Sequence, residues 1–148
     1  MSDAKYSSLA SSDQVVWGRV LALHAYVERR LSQTLQRRHG IGLSEYRALE
    51  DLSRTVDGEL RMQELADRIG LSQSSVSRLV GRLSAAGYAL KDLCPADKRG
   101  VYAVITEDGR ERFAEARATY AEVLSSALNT AGADPLLAST VQSLRTSA

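Results

Sequence analysis

The stretch from Gln63 to Val80 constrains the fold of this 148-residue chain more than any other. It predicts a short helix, a tight turn and a second helix, because Gly70 can end one helix and Ser72 can cap the next. The exposed face of the second helix is small, hydroxylated and basic, and no acidic residue occurs between Leu71 and Lys91. A carboxylate there would be repelled by phosphate, so the pattern is typical of a helix-turn-helix whose second helix enters a groove of DNA.

The composition excludes several other classes of protein. With 19 basic and 18 acidic residues the net charge is +1, so a DNA-binding surface requires an uneven distribution of charge. One cysteine cannot form an internal disulfide framework or a cysteine-based zinc site. No apolar run approaches the roughly 18 residues that span a membrane. The polar N-terminus lacks the apolar core of a signal peptide. We therefore expect a cytoplasmic protein with no cofactor, no metal and no membrane partner.

A long helix is predicted from Asp13 to about Arg38, with apolar residues at three- and four-residue spacing. Its apolar arc is too wide to be covered by a small domain alone, so one part of the arc is expected to pack on the rest of the chain and another on a second copy. The residues predicted to support dimerisation, here and in the C-terminal helices, are Val16, Val20, Leu23, Leu124, Leu137, Val141 and Leu144.

A β-hairpin, or wing, is predicted after the helix-turn-helix. Tyr88 to Leu93 and Val101 to Ile105 are strand-like runs joined by the charged segment from Cys94 to Gly100. The short extended piece Glu59 to Arg61 can pair with one of these strands.

Three further helices complete the prediction. Ser44 is expected to cap a helix before the helix-turn-helix, and Thr106 a helix that runs to about Asn129. Asp134 and Pro135 are expected to start a last helix, since proline is favoured at the first helical position.

The predicted fold is mainly α with a small β-wing: a winged helix-turn-helix flanked by N- and C-terminal dimerisation helices. Residues 1–40 and 111–148 are predicted to form the dimerisation region, and residues 41–110 the DNA-binding lobe.

Three segments together resemble the MarR family of bacterial transcriptional regulators: Leu43 to Leu52, Gln63 to Leu83, and Asp97 to Gly109. The resemblance extends from about Val15 onward. It implies a homodimer that binds a palindromic operator and represses transcription until a small ligand or an oxidant releases it.

The chain departs from the family pattern in two places. Arg61 stands where the family usually has a capping Ser or Thr, so Arg61 either leaves that cap weaker or contacts phosphate. Peroxide-sensing members carry a cysteine near the first helix, and this chain has none there.

The predicted DNA contacts lie on the second helix and the wing. Gln73 can contact adenine, and Arg78 can contact guanine or phosphate. The resemblance implies that Arg99 enters the minor groove while Asp97 holds its guanidinium; the alternative is an ordinary charged hairpin tip. Arg82 and Lys91 are phosphate candidates or simply solubilising charges. The full predicted set is Ser72, Gln73, Ser74, Ser75, Ser77, Arg78, Arg82, Lys91, Asp97, Lys98 and Arg99.

A second predicted site would bind an aromatic or carboxylated effector, because aromatic walls with a basic group suit such ligands. Plain core packing is the alternative for the same residues. His24 and His39 are interpreted as structural rather than as metal ligands. The candidate effector residues are Trp17, His24, Tyr46, Arg47 and Tyr120.

Three other functions are alternatives to a DNA-binding regulator. A redox-responsive regulator could use Cys94, although Asp92 and Asp97 oppose a thiolate there. A helix-turn-helix can also serve as a protein-interaction module. An enzyme is not expected and no catalytic residue is assigned, because the sequence has no nucleophile elbow, phosphate-binding loop or zinc motif.

Overall fold

The computed structural model describes residues 11–93 and 100–147. In these ranges the chain forms helices and strands in the order α1 (Ser12–His39), α2 (Leu43–Arg54), β1 (Glu59–Arg61), α3 (Met62–Ile69), α4 (Gln73–Ala85), β2 (Ala89–Leu93), β3 (Val101–Ile105), α5 (Glu107–Gly132) and α6 (Ala138–Thr146). The prediction of a mainly α fold with a small sheet is confirmed. None of the helices within these ranges has both the length and the apolar character needed to cross a membrane.

The described chain divides into two compact units. One unit runs from Thr34 to Tyr120, and the other combines the residues up to Gln33 with those from Ala121 onward. The first unit contains α2, α3, α4 and the sheet. Its core is apolar and includes Leu49, Leu52, Leu65, Val76, Leu79, Val80, Leu83, Ala103 and Ile105.

The three strands form one antiparallel sheet in the order β1-β3-β2. Leu60 of β1 and Lys91 of β2 both pair with Ala103 of the central strand. Ala103 and Ile105 point into the core, as the alternation in β3 predicts. The two wing strands and the pairing of β1 with one of them are confirmed.

Local sequence signals explain how α3, α4 and α5 begin and end. Gly70 has φ +76°, a left-handed conformation that ends α3 and that other residues rarely adopt. Ser72 caps α4 by accepting a hydrogen bond from the backbone N–H of Ser75 at 3.2 Å. Thr106 caps α5 in the same way through the N–H of Gly109 at 3.0 Å. The start of α5 lies so close to the sheet that a Cβ at Gly109 would be 2.1 Å from the carbonyl oxygen of Tyr88.

Ser44 is not the cap of α2. Gly42 has the extended conformation that precedes a helix, and α2 begins at Leu43. The backbone N–H of Gly42 donates to Oε2 of Glu45 at 3.0 Å. A glutamate three residues into a helix can reach back to this position, so α2 begins with a glutamate that accepts the N–H of Gly42 and without a side-chain cap from serine.

The beginning of the last helix also differs from the prediction. The carboxylate of Asp134 accepts the N–H of Leu136 at 2.9 Å, and the backbone carbonyl of Asp134 accepts that of Leu137 at 3.0 Å. These bonds form a turn that contains Pro135, and α6 begins only at Ala138. Helix α5 continues to Gly132 rather than ending near Asn129.

The second unit is held by a small apolar cluster. Leu23, Ala131 and Val141 are buried together. Arg30 donates to the hydroxyl of Tyr26 at 2.7 Å and to that of Ser126 at 3.2 Å. Large apolar side chains nevertheless remain exposed on this unit, namely Val15, Val16, Trp17, Leu21, Leu136 and Leu144.

Candidate nucleic-acid interface

Helix α4 buries one apolar stripe and presents a polar face opposite to it. Gln73, Ser74, Ser77 and Arg78 are exposed, while Ser75 is half-buried. Within α4 there is no acidic side chain, and its first turn carries only Gln73, Ser74 and Ser75. The face is therefore narrow, rich in hydrogen-bonding groups and free of charge that phosphate would repel.

Hydrogen bonds among the serines fix the start of this helix. Ser72 also donates from its Oγ to the Oγ of Ser75 at 3.0 Å, and its Oγ lies 3.2 Å from that of Ser74. Arg78 donates from Nη2 to the Oγ of Ser75 at 3.4 Å. Ser75 thus positions Arg78, whereas Ser74 and Ser77 are more exposed.

A groove of about 440 Å³ lies beside the polar face of α4. It is bounded by the start of α3, by α4 and by the base of the wing. Lys91 on β2 is exposed and contributes a positive charge to the groove wall. The lining residues are Arg61, Met62, Gln63, Gln73, Ser77, Lys91, Gly100 and Val101.

Arg61 precedes α3 and makes no side-chain cap for it; a weaker cap was one of the two alternatives for this position, and a phosphate contact was the other. Its Nε donates to the hydroxyl of Tyr102 at 3.0 Å, and its guanidinium lies 5.7 Å from the centre of the tyrosine ring. Tyr102 was missed in the sequence. The signal that could have found it is the β1–β3 register, which places Arg61 opposite Tyr102.

Arg82, a predicted phosphate contact, is paired with an acid in this structure. Its Nε donates to Oε1 of Glu45 at 3.2 Å, although more than half of the Arg82 side chain is exposed. The predicted wing residues Asp97, Lys98 and Arg99, and with them Cys94, lie outside the described residues.

Among the candidate effector residues, the structure brings Tyr46 and Tyr120 together. Their rings stack with centroids 4.5 Å apart and an interplanar angle of 12°, and Phe113 lies 5.4 Å from Tyr46. Burial raises the pKa of Tyr46 to about 12, helped by the negative charge of Glu50. The phenol therefore stays neutral to a higher pH than an exposed tyrosine would. Arg47 in the same helix is half-buried.

Trp17 and His24 belong to the other compact unit and are exposed. Nε2 of His24 lies 3.9 Å from Oε1 of Glu28. His39 has a structural partner, because its Nε2 lies 2.7 Å from Oγ1 of Thr119. The described part of the chain contains no group of three His, Cys, Asp or Glu residues that could hold a metal ion.

Comparison with known proteins identifies relatives of this fold. Residues 39–100 match the model of the MarR family. The uncharacterized HTH-type transcriptional regulator YkoM of Bacillus subtilis (strain 168) is 32% identical over 73 residues, which cover 49% of this chain. Those residues are 46% of YkoM, so the match spans about half the length of that relative.

Two solved structures from Streptomyces coelicolor share the fold over most of both chains. Sco3205, a MarR family transcriptional regulator solved in complex with DNA, is 27% identical with a TM-score of 0.75, covering 90% of this chain and 82% of its own. AbsC, another MarR family regulator, is 26% identical with a TM-score of 0.74 and 80% coverage of each chain. This family consists of transcriptional regulators and not of enzymes. The sequence match across the helix-turn-helix and the shared winged fold make this chain similar to the MarR family of transcriptional regulators and support a MarR-family winged-helix regulator.

Proposed function

We propose that this chain is a sequence-specific DNA-binding repressor that acts as a homodimer on a palindromic operator. The observation that carries the proposal is the exposed face of α4, which is polar and free of acids and is fixed at its start by the Ser72 cap. The neighbour Sco3205 was solved in complex with DNA, and this supports the same partner here.

In the proposed complex, α4 from each subunit enters one of two successive major grooves, about one helical turn apart. Gln73, Ser74 and Ser77 face the bases, and Arg78 contacts a base or the backbone. Lys91 and Arg61 flank the groove beside α4 and supply positive charge for phosphate. The wing residue Arg99 reaches the minor groove.

The dimer is proposed to form through residues 1–40 and 111–148. Support comes from the apolar side chains that stay exposed in the second unit: Val16 is 56% exposed and Leu144 is 59% exposed. An apolar surface of this kind is stabilised when a second copy covers it. Leu23 and Val141 are buried inside their own unit. Within the proposed dimerisation set they therefore hold the exposed apolar residues in place and do not contact the second copy themselves.

Release from DNA is proposed to follow the binding of a small aromatic or carboxylated effector. The stacked pair of Tyr46 and Tyr120 supports this, because a flat aromatic ligand can extend such a stack. A regulator of this kind works where the chromosome is, so we propose a cytoplasmic location.

A gel-shift titration with the DNA upstream of the chain's own gene tests the proposal. Binding should weaken steeply as salt rises, because cations on the protein displace counterions from phosphate. Arg78→Gln should weaken binding, whereas Arg145→Gln, which removes the same charge from α6, should not. Failure to bind at low salt would overturn the proposal in favour of a protein-interaction module.

A further inference from the structure

Three side chains form a hydrogen-bonded chain between α3 and the start of α4. Gln63 donates from Nε2 to Oδ1 of Asp67 at 3.0 Å, one helical turn away. Gln73 donates from its own Nε2 to Oε1 of Gln63. Gln63 and Gln73 both line the groove beside α4. This series of hydrogen bonds ends at Gln73, which is the first residue of α4, the helix that we propose enters a groove of DNA.

The chemistry of the groups determines which one donates and which one accepts at each of these hydrogen bonds. A carboxylate only accepts hydrogen bonds, so the Gln63 amide must turn its nitrogen toward Asp67. The side-chain oxygen of Gln63 then faces Gln73, so Gln73 must donate from its side-chain nitrogen. If either amide were rotated, two acceptors or two donors would face each other. The side-chain oxygen of Gln73 then points away from Gln63 and can accept a hydrogen bond from another molecule.

We propose that Gln63 and Asp67 determine base specificity by fixing the orientation of the Gln73 amide. This inference rests on the proposed function. With its oxygen presented as an acceptor, Gln73 selects a base that carries an amine in the major groove, which is adenine or cytosine. Guanine and thymine present carbonyl oxygens at the corresponding position and are disfavoured. Neither Gln63 nor Asp67 needs to touch the DNA.

Two sets of substitutions compare a group that only donates with a group that accepts beside Gln73. Gln63→Lys places a group that only donates between Asp67 and Gln73, so Gln73 must turn its oxygen inward and its nitrogen outward. The charge-neutral pair Gln63→Glu with Asp67→Asn keeps an acceptor beside Gln73, and the introduced asparagine amide can donate to the new carboxylate. All three residues are exposed, and far-ultraviolet circular dichroism verifies that each variant folds.

The experiment selects duplexes from a randomised library with the full-length chain and its variants at one salt concentration. Gln73→Ala identifies the base position that Gln73 contacts, because only there is the preference lost. The wild type should prefer adenine or cytosine there by at least about fivefold. The charge-neutral pair should keep that preference, and Gln63→Lys should shift it toward guanine or thymine.

The outcomes distinguish the two proposals. If a specific operator is selected but Gln63→Lys leaves the adenine or cytosine preference unchanged, this inference is wrong and the proposed function stands. The same holds if Gln73→Ala alters no position. If the wild type selects no sequence at all, the proposed function fails, and the inference fails with it.

Discussion

Arg82 on α4 donates a hydrogen bond from Nε to Oε1 of Glu45 on α2, at 3.2 Å. The other oxygen of the same carboxylate accepts the backbone N–H of Gly42 at 3.0 Å. Glu45 thus caps one helix and neutralises a cation on another. Because more than half of the Arg82 side chain is exposed, the pair contributes at most about 1 kcal/mol to stability. A DNA phosphate near α4 would compete with Glu45 for the same guanidinium.

Glu45→Gln should therefore tighten DNA binding by about two- to fivefold, because it frees Arg82 from its acid. Glutamine keeps an oxygen for the N–H of Gly42, so the cap of α2 should survive. Fluorescence anisotropy with labelled operator measures the effect. In an Arg82→Gln background the same change should give no gain. An equal gain there would mean that Glu45 acts through its charge alone and not through Arg82.

Ser72 allows the stability of α4 to be separated from its contacts with DNA. Ser72→Ala removes the bond to the N–H of Ser75 and should cost about 1 kcal/mol in the free energy of unfolding. Ser72→Asp restores a capping oxygen and should keep the wild-type stability, but its carboxylate should be repelled by phosphate and weaken operator binding. Urea unfolding and anisotropy measure the two effects. If Ser72→Asp binds as tightly as the wild type, this end of α4 does not approach the DNA backbone.

The helix-turn-helix could be predicted from sequence because its signals are local. Gly70, Ser72 and the spacing of Val76, Leu79 and Leu83 each act within one or two turns, and the structure agrees with all of them. The predicted start of the last helix was wrong because Asp134 and Pro135 are as compatible with a turn as with the beginning of a helix. Only the bonds that the turn makes favour one over the other.

The side-chain partners in the site could not be predicted in this way. Arg82 and Glu45 are 37 residues apart, and Arg61 and Tyr102 are 41 residues apart. Their contacts depend on how α2 packs on α4 and on the register of the sheet. A sequence shows that a cation is present, but it does not show which distant oxygen will hold it.

The pKa of Tyr46 predicts a loss of stability at alkaline pH. Below pH 10 the phenol is neutral in both the folded and the unfolded chain, so its burial contributes fully. Between about pH 10 and pH 12 only the unfolded chain ionises, because folding raises the pKa to about 12. Stability should fall by about 2–3 kcal/mol through that window. Tyr46→Phe keeps the aromatic contacts and should lack this part of the fall.

Urea unfolding at pH 9 and at pH 11.5 measures the difference between Tyr46→Phe and the wild type. Tyr120→Phe is the matched control, because Tyr120 is the stacked partner and is less buried than Tyr46. The phenylalanine variant at position 46 should gain stability relative to the wild type as the pH rises. Parallel curves for the two proteins would show that Tyr46 does not titrate in this window.

The predicted contact between the wing and DNA can be tested by substitution of its charged residues. Arg99→Ala should weaken operator binding by about 1–3 kcal/mol through the loss of a charge-assisted contact, and it should reduce the salt dependence. Asp97→Asn should weaken binding less, since it only loosens the proposed hold on the guanidinium. Anisotropy titrations at several salt concentrations give both quantities. Unchanged affinity and unchanged salt dependence in Arg99→Ala would remove Arg99 from the interface.

Leu144 and Val141 lie one turn apart on α6, and substitution by aspartate should affect dimer formation at one position and folding at the other. Leu144 is 59% exposed, so Leu144→Asp should leave the subunit folded but place a charge in the proposed interface and yield monomers. Val141 is 3% exposed, so Val141→Asp buries an unpaired charge and should unfold the second unit. Ser139→Asp adds the same charge at an exposed position and should remain dimeric. Light scattering gives the mass and circular dichroism the fold. A dimeric, folded Leu144→Asp would place the interface elsewhere, and a monomeric wild type would remove the dimer from the proposed function.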